Sequence, residues 1–252
     1  MRAAGCVFAE DEARLLVEAA GTEAELTAMV RLRVDGLPLE HILGWVLFHG
    51  LRIAVAPGVF VPRQRTALLV EEAARHAPHP AVVLDLCCGS GALGVALAVE
   101  LGDVELYAAD VEPAAVRCAR VNVEPLGGRV FEGDLYDPLP ASLHGRVDVL
   151  LANVPYVPTD AIATMPPEAR DHEPPVALDG GSDGLDVLRR VATGAPSWLA
   201  PGGRLLVETS EEQAPVAVSV FEAAGLVARV VTSEELWATA VVGARVMGDR
   251  GP

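Results

Sequence analysis

A strongly apolar run, Ala81-Val-Val-Leu-Asp-Leu86, leads straight into Cys87-Cys-Gly-Ser-Gly91, and a second apolar run from Ala92 to Leu101 follows without a gap. The first run has the length and β-branching of a buried strand, and the second the length of a buried helix. Glycines in the joining turn let the backbone fold back tightly and approach a ligand, and the helix start offers free N–H groups. A buried strand followed at once by a buried helix belongs to a parallel sheet covered on both faces. The downstream pattern agrees. Val104–Asp110, Arg129–Glu132, Val147–Ala152, Arg204–Glu208, Val227–Val231 and Ala238–Val246 read as further strands. Helices are expected at Pro113–Asn122, near 184–198 and near 211–224. The fold class is therefore α/β, a doubly wound, Rossmann-like sheet.

Ahead of that body, residues from about 10 to 36 show two short apolar faces at helical spacing, Leu15/Leu16/Ala19 and Leu26/Met29/Val30/Val34. Gly36 stops the second, and Pro38 to Leu43 starts a further turn. Trp45–Phe48 and Leu51–Val55 flank His49-Gly50 as a hairpin. The expected organisation is a small helical domain over 1–44, a β-hairpin and linker over 45–65, and the main domain over 66–252.

A hydrophobic content of 51% against 21% charged residues excludes a disordered chain. The net charge of −16 opposes a general nucleic-acid binder, which needs clustered cations. All 19 basic residues are arginine, which rules out a Schiff-base or P-loop lysine. Cys6, Cys87, Cys88 and Cys118 have no C-x-x-C spacing and no nearby histidine array, so a reduced, cytoplasmic protein without a metal site is expected. Glu10 and Asp11 interrupt the apolar start too early for a signal peptide, and no run of about 18 uncharged apolar residues exists to span a membrane.

Gly89-Ser-Gly91-Ala-Leu-Gly94 fits the dinucleotide fingerprint, so a nicotinamide cofactor has to be weighed. Against it stands Asp85 at the strand end, where a carboxylate repels a pyrophosphate but suits the ammonium and sulfonium of S-adenosylmethionine (SAM). Asp110 ends the second strand, placed to accept ribose hydroxyls. Asp134 with Leu135 ends the third, where a carboxylate can accept from an adenine amino group. Three acids at three successive strand ends favour SAM, with S-adenosylhomocysteine as product. The expected cofactor contacts are Asp85, Cys87, Cys88, Gly89, Ser90, Gly91, Asp110, Asp134, Leu135 and Asn153.

Asn153-Val154-Pro155-Tyr156 follows the fourth strand of the sheet. An amide nitrogen is a poor nucleophile, and two acceptors, the Asn153 side-chain oxygen and the Val154 carbonyl, can hold its two N–H groups for in-line attack. Pro155 keeps Val154 extended, and Tyr156 offers a flat face to a planar group. Asn153, Pro155 and Tyr156 are the expected catalytic residues, with Val154 joining them in substrate binding. The Pro- and acid-rich stretch 157–182 shows no clear period and is placed to wall the substrate channel. Arg63 is open between a ligand contact and an ordinary surface role, Cys87-Cys88 reads as apolar filling, and Trp45 and Trp198 as core.

On these residues the chain resembles the protein-(glutamine-N5) methyltransferases, the family that modifies peptide-chain release factors. The resemblance covers nearly the full length. It includes Pro38-Leu-Glu-His-Ile-Leu-Gly44, Phe48 to Val55, Pro57-Gly-Val-Phe-Val-Pro-Arg63, Glu173-Pro174, Asp183-Gly-Leu185 and Pro201-Gly-Gly203 with Glu208. It implies a seven-stranded SAM-dependent methyltransferase body, a small N-terminal domain that contacts the protein substrate, and a glutamine of a Gly-Gly-Gln sequence held by Asn153 to Tyr156. A monomer that needs neither nucleic acid nor membrane is expected. The family's N-P-P-Y is Asn153-Val154-Pro155-Tyr156 here, its first loop glycine is Cys87, and the N-terminal domain is shorter. A small-molecule N-methyltransferase and a non-catalytic SAM-binding protein are the competing readings, and a DNA adenine methyltransferase a weaker one.

Overall fold

The computed structural model describes residues 8–246, so Cys6 and most of the N-terminal apolar segment lie outside the described residues. Helices α1 (Ala9–Ala19) and α2 (Glu23–Val34) come first, then the short α3 (Leu39–Leu43). A capping box starts α2: the Thr22 hydroxyl accepts the Glu25 N–H while the Glu25 carboxylate accepts the Thr22 N–H. Strands β1 (Trp45–Phe48) and β2 (Leu51–Ala54) form the expected hairpin, and His49 and Gly50 both take the positive φ that a tight hairpin turn requires. Arg52 lies over the Trp45 ring, which is half-buried at the edge of the hairpin.

The main body contains β3 (Ala81–Leu86), α5 (Ala92–Leu101), β4 (Val104–Asp110), α6 (Pro113–Val123), β5 (Arg129–Glu132) and β6 (Val147–Ala152). After β6 come a 3-10 helix over Thr159–Thr164, helix α7 (Pro167–His172) and a 3-10 turn over Pro175–Ala177. Then follow α8 (Asp186–Trp198), β7 (Leu199–Thr209), α9 (Ala214–Ala223), β8 (Leu226–Ser233) and β9 (Ala238–Arg245). Two helices were not anticipated, α4 (Ala67–Ala74) and the short α7 within 157–182.

The seven strands run in the order β5-β4-β3-β6-β7-β9-β8. The sheet is parallel through β7, but β9 is antiparallel to both β7 and β8, which corrects the expectation of a parallel sheet throughout. The cause is the connection: only Glu234 to Trp237 join β8 to β9, and a parallel neighbour needs a crossover of a dozen or more residues. Among the described residues, no helix is long and apolar enough to cross a membrane.

Side-chain alternation sorts the sheet into two cores. Val83 of β3, Val149 and Leu151 of β6 and Leu206 of β7 face a cluster that also holds Phe48 and Ile53 of the hairpin, Leu69 of α4 and Leu97 of α5. Leu84 and Leu86, Leu150 and Ala152, and Leu205 and Val207 face the opposite cluster with α8 and α9. This parity decides where every residue just beyond a strand end points.

Candidate active site

Helices α5 and α6 cover one face of the sheet and α8 and α9 the other, so the chain reverses its winding between the neighbours β3 and β6. Ligands in such sheets sit in the crevice at the carboxyl ends of the strands at that point. A cavity opens there, lined by Cys87, Cys88, Gly89 and Ser90 after β3, Asp110 at the end of β4, and Asp134 and Leu135 after β5. Asn153, Val154, Pro155 and Tyr156 after β6 complete the same wall. Residues from four separate strand ends are thus brought together as expected.

Two expected contacts are placed elsewhere. Gly91 is the N-cap of α5 at φ 79°, and a Cβ there would lie 2.7 Å from Val123 Cγ2; it provides close packing against α6. Asp85 is fully buried behind the loop, where Oδ2 accepts the Gly94 N–H at 2.9 Å. It has the parity of Val83, so its carboxylate runs under the first turn of α5 rather than onto the cavity wall. Burial raises its pKa to about 8, against the pull of the Gly94 hydrogen bond. Its Oδ1 has no hydrogen-bond partner among the described residues.

The loop is already shaped. Cys87 and Gly89 take positive φ, 53° and 55°, and a Cβ on Gly89 would meet nothing within 4 Å. Asp110 holds this turn, accepting the Gly89 N–H at 2.8 Å on Oδ2 and the Glu112 N–H at 2.9 Å on Oδ1. Burial raises the Asp110 pKa, and these two N–H groups oppose the shift. Asp134 pairs with Arg190 of α8 at 2.6 Å, and next to it Leu135 has φ 48°. Burial and the neighbouring Asp110 push the Cys87 thiol well up, so it is a neutral wall group. Cys87, Cys88 and Cys118 are free thiols. Among the described residues no cluster of His, Cys, Asp or Glu has the arrangement of a metal site.

SAM fits these residues. Among the described residues, oxygens of Ser90 and Asn153 on the cavity wall are buried without partners, and the open side of Gly89 lets a ligand approach the backbone closely. Asp110 at the end of β4 would accept ribose hydroxyls of a bound SAM, and the Asp134–Leu135 turn lies at the adjoining strand end.

On the acceptor side, Asn153 has the parity of Leu151 and faces the hairpin side, while Val154 buries its side chain in the opposite core. Asn153 Oδ1 has no partner, and no hydrogen bond reaches the Val154 carbonyl among the described residues. Phe48, Val59 and Phe60 from the hairpin and linker, and Met165, Pro174 and Val176 from 157–182, form an apolar mouth. The latter segment walls the cavity, as a series of short helical turns. Arg63 Nη2 donates to both oxygens of Glu173 (2.7 and 2.8 Å), whose Oε1 also accepts the Val61 N–H. Arg63 therefore fastens the linker to the 157–182 wall. Arg33 of α2 pairs with Glu12 at 2.7 Å and reaches Glu168 of α7 at 3.4 Å, which ties the N-terminal helices to that wall.

One group of residues was missed. Arg65, in the turn Gln64–Thr66, donates from Nε to Glu208 Oε1 (2.9 Å) and from Nη2 to the Tyr156 hydroxyl (2.6 Å). The Tyr156 hydroxyl in turn donates to Glu208 Oε1 at 2.9 Å. Glu208 has the parity of Leu206 at the end of β7, which turns it to the hairpin side. Asn122 of α6 was also missed: its side chain donates to the carbonyls of Ala54 and Ser90 and accepts the Ala54 N–H, joining hairpin and loop.

The fold and this cavity define a SAM-dependent methyltransferase. The family model described as "Methyltransferase small domain" matches residues 50–169. A methyltransferase structure from Pyrococcus furiosus shares the fold, with a TM-score of 0.59 at 17% identity over 78% of this chain and 90% of that one. The release factor glutamine methyltransferase of Geobacter sulfurreducens is 40% identical over 225 residues, 88% of this chain and 78% of that protein. The chain belongs to the release factor glutamine methyltransferase family. A relative from Streptomyces pristinaespiralis, 36% identical over 78% of this chain and 69% of its own length, is named 4-amino-L-phenylalanine/4-methylamino-L-phenylalanine methyltransferase.

Proposed function

We infer that this enzyme methylates the side-chain amide nitrogen of a protein glutamine, in the Gly-Gly-Gln setting of a peptide-chain release factor. One observation carries the reading: two acceptors without partners, Asn153 Oδ1 and the Val154 carbonyl, occur on consecutive residues at the cavity wall. A primary amide has two N–H groups to give them. When bound, SAM supplies an electrophilic methyl on its sulfonium. The chain's own residues bind and orient. Asn153 and Val154 draw electron density toward the amide nitrogen and fix its direction, Pro155 fixes the turn, and the Tyr156 ring flanks the planar group. No strong base is required, because the methylated, cationic nitrogen gives its proton to water readily.

The helices within residues 1–44 would contact the protein acceptor, and the Arg33–Glu168 pair supports this by linking them to the acceptor-side wall. The free thiols among the described residues suit a reduced, cytoplasmic setting. A second reading, a small aromatic amine as acceptor, is favoured by the Streptomyces pristinaespiralis relative. Labelled SAM offered with a release factor, a Gly-Gly-Gln peptide and 4-amino-L-phenylalanine separates the two. One added methyl on glutamine is the expected result. Label only on the free amino acid installs the second reading, and SAM binding with no transfer to any of the three refutes the first.

A further inference from the structure

The Tyr156 ring is useful to an acceptor only if it stands at a fixed angle to Asn153, and nothing in the Asn153–Tyr156 turn itself holds the far end of that ring. The hold comes from two distant segments. Arg65 and Tyr156 both line the cavity, whereas Glu208 stands behind them with its side chain 4% exposed. Glu208 Oε1 receives the Arg65 Nε–H and the Tyr156 O–H, and the Tyr156 oxygen receives Arg65 Nη2, so the three groups close a ring of hydrogen bonds. Each contact involves an ion, the stronger kind of hydrogen bond, and the one from Arg65 to the Tyr156 oxygen is short at 2.6 Å. The phenol stays neutral: burial pushes its pKa up to about 12, the Glu208 carboxylate adds to the rise and Arg65 opposes it.

We propose that Arg65 and Glu208 are positioning residues for methyl transfer, acting through the Tyr156 hydroxyl to set the ring that flanks the acceptor nitrogen. Arg65 comes from the linker that follows the hairpin and Glu208 from the end of β7, so the ring is braced from both sides of the cavity mouth. The brace also joins the linker to the sheet beside β6, and keeps the acceptor slot at one width. This rests on the reading of Tyr156 as an acceptor-side residue.

The test has an arm that needs no acceptor. The chain has three tyrosines, and in protein labelled with 3-fluorotyrosine, a more acidic phenol, the fluorine resonance absent from Tyr156→Phe belongs to residue 156. Its ionisation should shift down in Glu208→Gln, which removes a negative neighbour, and up in Arg65→Gln, which removes a positive one. A general loosening would move both downward. The second arm is single-turnover methylation of a Gly-Gly-Gln peptide. Arg65→Gln and Tyr156→Phe should each lower the rate about tenfold or more while S-adenosylhomocysteine binding stays within about twofold, and the double variant should be no slower than the slower single one. Multiplied losses in the double variant, parallel downward shifts of the resonance, or wild-type rates in Arg65→Gln overturn the proposal. Opposite shifts with no methylation of the peptide by the wild type keep the brace and refute the acceptor assignment instead.

Discussion

Replacing Arg63 by methionine tests how the acceptor-side wall is held. The substitution keeps most of the apolar stem and removes the charge facing Glu173, whose side chain is only 1% exposed. Glu173 would keep the Val61 N–H as its one remaining partner. Breaking a buried ion pair from one side typically costs 3–5 kcal/mol, and because Arg63 is itself one-third exposed the low end applies, about 3 kcal/mol. With a urea m-value of about 3 kcal/mol/M, the midpoint should fall by about 1 M. The loss should depend on pH in a definite direction. Burial already raises the Glu173 pKa, with Arg63 opposing the shift, so removing Arg63 raises it further. A carboxyl group with a raised folded pKa contributes stability that is complete below its unfolded pKa and lost as pH rises through the folded value. The deficit of Arg63→Met should therefore be largest at pH 8 and shrink toward pH 5. Adding Glu173→Gln should recover most of it, since the uncompensated charge is then gone. Emission from Trp198, stacked between Tyr136 and His144, gives a convenient signal for the urea titrations. A deficit below about 1 kcal/mol at pH 8 would refute the reasoning, as would a deficit that does not change with pH.

Asn153→Ala removes one of the two acceptors and should slow single-turnover methylation by roughly 10²–10³, about 2.7–4 kcal/mol of barrier, while Val154→Pro keeps the carbonyl and should stay within about tenfold; wild-type rates in Asn153→Ala would remove the amide-holding mechanism. Asp110→Ala should weaken SAM and S-adenosylhomocysteine binding strongly in calorimetry, because it removes a ligand acceptor and also frees the Gly89 and Glu112 N–H groups. Unchanged affinity there would mean the ribose is held elsewhere. Cys87→Gly relieves a side chain from φ 53° and should raise stability by about 1 kcal/mol in urea unfolding; a loss of stability would show that the thiol's packing outweighs the strain.

The strands bearing the site could be read from the chain because each is a short, mainly apolar run with an acid or asparagine at or next to its end. Helix α4 could not. Ala67, Leu68, Leu69, Val70, Glu72 and Ala73 are all buried, so eight residues carry no polar face to reveal a helical period. Strand direction for β9 could be read only from the short gap after β8, since alternation looks the same either way. The acceptor turn was legible because its four residues are consecutive. The Arg65–Tyr156–Glu208 ring was not, because its members lie 91 and 143 residues from Arg65 and meet only through the hairpin's seat on the sheet. Asp85 shows a limit of another kind. Its place at a strand end is legible, and counting in twos from Val83 turns its side chain toward α5 and away from the cavity.

The two hydrogen bonds that Asp110 accepts have a thermodynamic consequence. The one from Gly89 sets the Cys87–Gly91 turn while the protein folds and the one from Glu112 fixes the carboxylate that holds it, so the conformational freedom of that turn is surrendered before any cofactor arrives. Ordering a loop on association is one of the larger penalties a ligand faces. Here that penalty falls on the folding equilibrium instead. The contacts SAM makes with the turn can then appear almost undiminished as affinity, and the stability of the apo-protein and the strength of cofactor binding are joined through a single carboxylate.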